Sequence, residues 1–155
     1  MHIVLIEPEI PANTGNIVRT CAATGTSLHL VGQLGFSLKD KYLKRAGLDY
    51  WDLAKVYRHV TFDELKSQFP DSNFYFTSKK ATKFYTEVQF GRDDFIVFGK
   101  ETEGLPDWLL KENWENTLKI PKLKEARSLN LSNSVAIILY EALRQQGFNA
   151  GSPLE

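Results

Sequence analysis

The chain has 155 residues, 43% of them hydrophobic and 25% charged. That is one domain's worth of sequence, with enough apolar material for a single core and no compositional sign of disorder. Nineteen basic residues balance 19 acidic ones, which excludes a strongly basic nucleic-acid binder and leaves only local patches to meet a polyanion. The single cysteine, Cys21, excludes an internal disulfide, and its neighbours Ile17 to Ala22 suit a small buried side chain better than a reactive thiol. His2, His29 and His59 stand far apart in the sequence, and no metal is expected. The N-terminal apolar run is too short for a signal peptide, and no run is long enough to span a membrane, so the expected location is the cytoplasm.

In chain order, Ile3–Ile6 reads as a buried strand. A helix over 14–24 follows, capped by Asn13 or Thr14 and closed at Gly25. Leu28–Val31 is a second strand, and Lys39, Lys41, Lys44 and Arg45 form a first basic patch. Thr61 and Glu64 make a capping box for a helix over 62–69, with Val60 and Leu65 spaced as a hydrophobic staple. Phe74–Thr77 is a third strand, followed by Lys79, Lys80 and Lys83; Phe95–Phe98 is a fourth. Pro106 opens a short helix to Leu110. Leu118–Ile120 is a fifth strand, and Lys119, Lys122, Lys124 and Arg127 form the last basic patch. The final helix runs from about Leu131 to Gln146 and stops at Gly147, with Val135, Ile137, Ile138, Leu139, Ala142 and Leu143 on a broad apolar face. Strands alternating with helices predict an α/β fold, a mostly parallel sheet with helices on both faces, in one domain over 1–155. Ligands of such folds bind beyond the carboxyl ends of the strands, here the loops 7–16, 77–83, 99–104 and 121–130.

The glycines exclude the common phosphate cradles. No two are separated by one residue, so G-x-G-x-x-G has no place, and the Gly99-Lys100 pair lacks the glycine at 94 and the hydroxyl residue at 101 that a P-loop needs. What remains is a strand running into Gly99-Lys100-Glu101-Thr102-Glu103-Gly104-Leu105-Pro106, two glycines around a polar turn.

Three segments together resemble a known family. Asn13-Thr14-Gly15-Asn16-Ile17-Val18-Arg19 is similar to the first motif of the SpoU branch of the SPOUT RNA methyltransferases. Phe95 through Pro106 is similar to the second, and Ile120-Pro121 with Ser128-Leu129-Asn130-Leu131-Ser132-Asn133 to the third. The lead-in Glu7–Pro11 and the segment Arg45-Ala46-Gly47-Leu48-Asp49-Tyr50 resemble the minimal TrmL (YibK) type, which has no added RNA-binding domain. Lys122 and Lys100 depart from the family's usual hydrophobic residue and proline.

The resemblance implies an α/β fold with a deep C-terminal trefoil knot, acting as a homodimer. It implies methylation by S-adenosylmethionine of the ribose 2′-hydroxyl at the wobble position of tRNA, cytidine or modified uridine 34 of leucine tRNAs. It places the cofactor against Phe76, Thr77, Gly99, Gly104, Leu105, Ile120, Ser128, Leu129 and Asn130. Arg19 is the implied catalytic residue, as general base or as phosphate clamp, beside Asn13 and Glu101. Glu101 has two readings of equal weight, a partner for Arg19 or a cap of the helix that follows it. RNA contacts fall to Asn16, Arg19, Lys41, Arg45, Lys122 and Arg127, and the last helix, with Tyr140, is the expected dimer surface. Three rivals stay open: a 2′-O-methyltransferase acting at another tRNA or rRNA site, an RNA-binding relative without turnover, and a flavodoxin-like small-molecule domain.

Overall fold

The computed structural model describes residues 1–38, 50 and 53–149. Among these, seven strands form one all-parallel sheet in the order β3-β2-β1-β6-β4-β7-β5. The strands are β1 (His2–Ile6), β2 (Ser27–Val31), β3 (Lys55–His59), β4 (Phe74–Thr77), β5 (Lys83–Phe84), β6 (Phe95–Phe98) and β7 (Thr117–Lys119). The helices are α1 (Pro11–Thr24), α2 (Phe62–Gln68), α3 (Asp107–Glu112) and α4 (Leu131–Gln145).

The predicted strands are all present, β7 lying one residue earlier than expected. β3 and β5 escape the sequence reading because they are edge strands: Lys55, Tyr57 and Arg58 are exposed, so no continuous apolar run announces them. The central strands show the opposite pattern, and every residue of β6 is buried. A strand covered on both faces needs an unbroken apolar run. Burying one Leu or Ile side chain contributes roughly 1.5–3 kcal/mol, so β1 and β6 anchor the molecule and β3 does not.

Two cores result. Ile3, Leu5, Leu28, Leu30 and Ile96 meet Ile17, Val18 and Cys21 of α1 and Val135, Ile138, Leu139, Ala142 and Leu143 of α4. On the other face Val4, Val31, Phe76, Phe95 and Val97 meet Phe62 and Leu65 of α2 and Leu109 and Leu110 of α3. Cys21 is fully buried and its thiol is pushed up to about 12 by that burial, which makes it an inert core side chain.

Helix ends depart from the sequence reading in two places. α1 starts at Pro11, which suits a first helical position, so Asn13 and Thr14 lie inside the first turn as buried residues and do not cap it. Thr61 caps α2 by accepting the Glu64 N–H at 3.1 Å, but Glu64 reaches back to the Val60 N–H, and Val60 is 80% exposed, so no staple forms with Leu65. Asn130 caps α4. Its far end is as expected: Gly147 is left-handed at φ 66°, and the Phe148 N–H returns to the Leu143 carbonyl at 2.8 Å. Ile137 and Tyr140 of that helix are exposed, so its apolar face is wider than the sheet covers.

The three histidines, remote in sequence, form one diagonal line across β1, β2 and β3. His2 Nδ1 lies 3.0 Å from His29 Nε2, and His29 Nδ1 lies 2.9 Å from His59 Nε2. Among the described residues no group of three or more His, Cys, Asp or Glu is placed to hold a metal.

Candidate active site

A cavity of about 370 Å³ opens at the carboxyl ends of β4, β6 and β7, where the strand-end rule places ligands and at a size suited to one small molecule. Its floor and walls are apolar: Leu105, Leu110, Leu118, Ile120 and Ile138. Its rim is polar and comes from three separate loops, 77–80, 99–104 and 120–130.

The 99–104 loop is a tight hairpin. Lys100 and Gly104 exchange both backbone hydrogen bonds, at 3.2 and 2.9 Å. A Cβ on Gly99 would sit 2.1 Å from the Gly104 carbonyl carbon, so this position takes only glycine, and Gly104 turns the chain at φ 76°. The hairpin is held onto the 7–13 segment by its side chains. Glu9 Oε2 accepts from the Thr102 N–H at 3.1 Å and its hydroxyl at 2.8 Å, and these bonds hold the Glu9 carboxyl below its ordinary value. Lys100 pairs with Glu7 at 2.9 Å, which holds the ammonium above its usual range.

Asn13, Glu101 and Asn130 join all three motif segments. Glu101 accepts from the backbone N–H groups of Glu9 at 2.8 Å and Ile10 at 3.1 Å, and from Asn13 Nδ2 at 3.1 Å. The carboxylate thus sits at the positive end of α1 and takes the capping work that Ile10 has no side-chain group to do. Asn130 Nδ2 donates to Asn13 Oδ1 at 2.9 Å, while Asn130 Oδ1 accepts the N–H groups of Ser132 and Asn133 at the start of α4. One polar chain therefore runs from the 99–104 loop through α1 to the N-terminus of α4.

Most expected site residues are brought together. Thr77, Gly99, Glu101, Gly104, Leu105, Ile120, Ser128, Leu129, Asn130, Asn13 and Lys122 all line the cavity. Phe76 does not: the pleat turns it to the opposite face of β4, where it is fully buried and its ring meets that of Phe62 edge-on. Arg19 and Asn16 also lie outside the cavity, exposed on the outer side of α1. Neither reading of Glu101 holds, since it contacts the α1 N-terminus and not Arg19 or α3. The Arg19 guanidinium instead lies over the Tyr50 ring, 5.0 Å from its centroid. The Lys122 ammonium donates to the Ala126 carbonyl at 2.7 Å, which folds the 122–126 turn, and Arg127 is exposed. Lys41 and Arg45, with the rest of the 39–45 patch, lie outside the described residues.

Sequence reasoning missed two features. Lys80 on the rim pairs with Asp107 at 2.7 Å, holding the first turn of α3 to the loop after β4 and the Asp107 carboxyl below its usual value. The second is Tyr50 beneath Arg19, whose only signal was its place at the end of the Arg45–Tyr50 segment.

Known proteins of similar sequence and shape fit this geometry. The SpoU rRNA Methylase family matches residues 1–140. A tRNA (cytidine(34)-2'-O)-methyltransferase of Saccharophagus degradans is 51% identical over 152 residues, covering 97% of this chain and 98% of that protein. A solved structure described as "Structural insights into the 2-OH methylation of C/U34 on tRNA" is 41% identical with a TM-score of 0.90, covering 94% of this chain and 95% of the other. An AdoMet-bound rRNA methyltransferase from Sinorhizobium meliloti is 26% identical with a TM-score of 0.81, covering 92% of this chain and 55% of the other. The chain belongs to the SpoU rRNA Methylase family.

Proposed function

We propose that this chain transfers a methyl group from S-adenosylmethionine to the ribose 2′-hydroxyl of nucleotide 34 of tRNA, a cytidine or uridine at the wobble position. The carrying observation is the Glu101–Asn13–Asn130 chain, which locks the three motif segments around one cavity. The near full-length identity to a tRNA (cytidine(34)-2'-O)-methyltransferase selects this substrate among RNAs.

The cavity fits the cofactor's chemistry. Backbone groups of 99–104 and 120–130 read an adenine edge, and Leu105, Leu110, Ile120 and Ile138 wall a flat ring. Bound there, S-adenosylmethionine would supply an electrophilic methyl on a sulfonium and leave as S-adenosylhomocysteine, while the 2′-hydroxyl proton passes to solvent. The protein's own work is positioning, and well-oriented encounter is worth about 7–11 kcal/mol. Asn13 and Glu101 fix the loop that carries Gly99 and Gly104. Asn16 and Arg19, outside the cavity, serve the RNA: Arg19 grips a phosphate and sets the ribose at the cavity mouth. Lys122 and Arg127 extend the contact on the far rim, and Lys41 and Arg45 stay assigned to RNA by sequence alone. No metal takes part in this scheme.

The 155 residues act as one domain, and two copies pair through the exposed Ile137 and Tyr140 of α4. β7, inserted between the earlier strands β4 and β5, supports the C-terminal trefoil knot of the family fold. A tRNA substrate and the absence, among the described residues, of a helix able to cross a membrane support a cytoplasmic location.

The test is to incubate the protein with bulk tRNA and labelled S-adenosylmethionine and to map the product by mass spectrometry. A ribose methyl at position 34, leucine tRNAs first, is expected. A methyl on a base, or at another position, would overturn the reading. Arg19→Ala should keep the heat of cofactor binding and lose transfer.

A further inference from the structure

Tyr50 closes the Arg45–Tyr50 segment and is the member of it that the structure describes. Its carbonyl accepts the N–H groups of Leu53 at 3.1 Å and Ala54 at 2.9 Å, which fixes its backbone just ahead of β3. Its half-buried ring lies under the guanidinium of Arg19, 5.0 Å from centroid to carbon. Arg19 itself is exposed on α1, and among the described residues no carboxylate is paired with it. A long exposed arginine samples many rotamers unless something holds it.

The ring face carries the negative side of the aromatic quadrupole and attracts a cation. The guanidinium N–H bonds lie in its own plane, so a ring on one face consumes none of the fork that grips a phosphate.

We propose that Tyr50 is the positioning residue for Arg19, holding its guanidinium pre-aimed so that its fork meets an RNA phosphate. This rests on the reading above that Arg19 acts in methyl transfer. The aromatic ring is what matters, not the hydroxyl.

The experiment measures tRNA affinity, kcat and cofactor affinity for Tyr50→Leu, Tyr50→Phe, Arg19→Ala and the Arg19→Ala/Tyr50→Leu double variant. Tyr50→Leu should weaken tRNA binding by about two- to fivefold, the change that a cation–π contact at an exposed site carries, and lower kcat with it. Cofactor affinity should not move, because Tyr50 does not line the cavity. Tyr50→Phe should restore the wild-type values, and in the Arg19→Ala background Tyr50→Leu should weaken tRNA binding no further. Equal losses in both backgrounds, a phenylalanine as poor as leucine, or no loss at all would overturn the proposal. Should leucine not fold, Tyr50→Met removes the ring while keeping apolar bulk, with the same expected and overturning outcomes. Normal transfer by Arg19→Ala would remove Arg19 from the reaction. Lost transfer by Arg19→Ala beside a normal Tyr50→Leu would overturn only the role of Tyr50.

Discussion

Two hydrogen-bonded polar chains stitch this molecule, and they behave oppositely. At the cavity, Glu101, Asn13 and Asn130 join three loops. Across the sheet, His2, His29 and His59 join three strands. In the first, both ends fix every orientation. Backbone N–H groups of α4 demand the Asn130 oxygen, the Asn130 amide then demands the Asn13 oxygen, and the Asn13 amide meets a carboxylate. In the second, each neutral ring has one proton to give. Among the described residues His59 Nδ1 is buried with no partner, and leaving an acceptor unpaired costs less than leaving an N–H unpaired. The protons therefore run from His59 Nε2 to His29 Nδ1, and from His29 Nε2 to His2 Nδ1. The loop chain is built from two amides and one carboxylate, with its orientation fixed by backbone donors at both ends; the strand chain needs every ring neutral.

The largest effect should come from breaking the loop chain. Asn13→Leu keeps the size of a buried side chain but removes the acceptor of the Asn130 amide and the side-chain donor to Glu101 Oε1, which keeps only the Ile10 N–H. A hydrogen bond to a charged group contributes about 1.5–3 kcal/mol, so cofactor affinity should fall by roughly ten- to a hundredfold. Calorimetry with S-adenosylmethionine checks this, and unchanged affinity would mean that the chain is ornamental to the cavity.

The two chains are not equally legible in the sequence. Asn13, Glu101 and Asn130 sit in segments whose shared resemblance to one family is enough to place them at a common site. Their bonding does not follow from it, because Glu101 reaches α1 across 88 residues from Asn13, and neither propensity nor spacing reports such a contact. The pleat decides Phe76: as a neighbour of Thr77 it must face the other way. The start of α1 departs from expectation because Asn13 has the chemistry of a cap, while Pro11 has the geometry of a first turn and prevails. The central strands are plain because burial on both faces writes an apolar run. The histidine line is invisible, since it depends on sheet register: His29 lies opposite Val4 and Tyr57, one diagonal step from each of the other two.

The second effect is the acid sensitivity that this line carries between pH 7 and 5. Burial, and then the neighbouring N-terminal ammonium, lowers His2 to about 4. Burial, and then its two histidine neighbours, lowers His29 to about 3. Burial also lowers His59, with Glu64 opposing. Folded values below the unfolded one mean that the unfolded chain binds these protons first. Stability is then complete above about pH 6.5 and falls as the pH drops toward 4. For the buried His29 the slope is on the order of 1 kcal/mol per pH unit in that window. Denaturant melts at pH 7, 6 and 5 should show the loss, and His59→Gln, which removes one titrating ring while keeping a donor and an acceptor, should flatten it. An unaltered slope in that variant would take His59 out of the line.

The smallest effect belongs to the outer edge of the loop chain, at Glu7. Its backbone is left-handed at φ 48°, a conformation that costs a side chain-bearing residue roughly 1–2 kcal/mol. Its carboxylate pairs with Lys100 near the surface, where such pairs contribute little and are screened by salt. Glu7→Gly therefore relieves strain while giving up a weak pair, and the greater freedom of glycine in the unfolded chain returns about 0.4–1 kcal/mol of the gain. The net change in stability should stay within about 1 kcal/mol. It should also move toward greater stability as salt rises relative to wild type, because only the wild type has a pair to screen. Destabilisation well beyond that at all salt concentrations would show that Glu7, like Asn13, belongs to the chain that holds the cavity together and not to its rim.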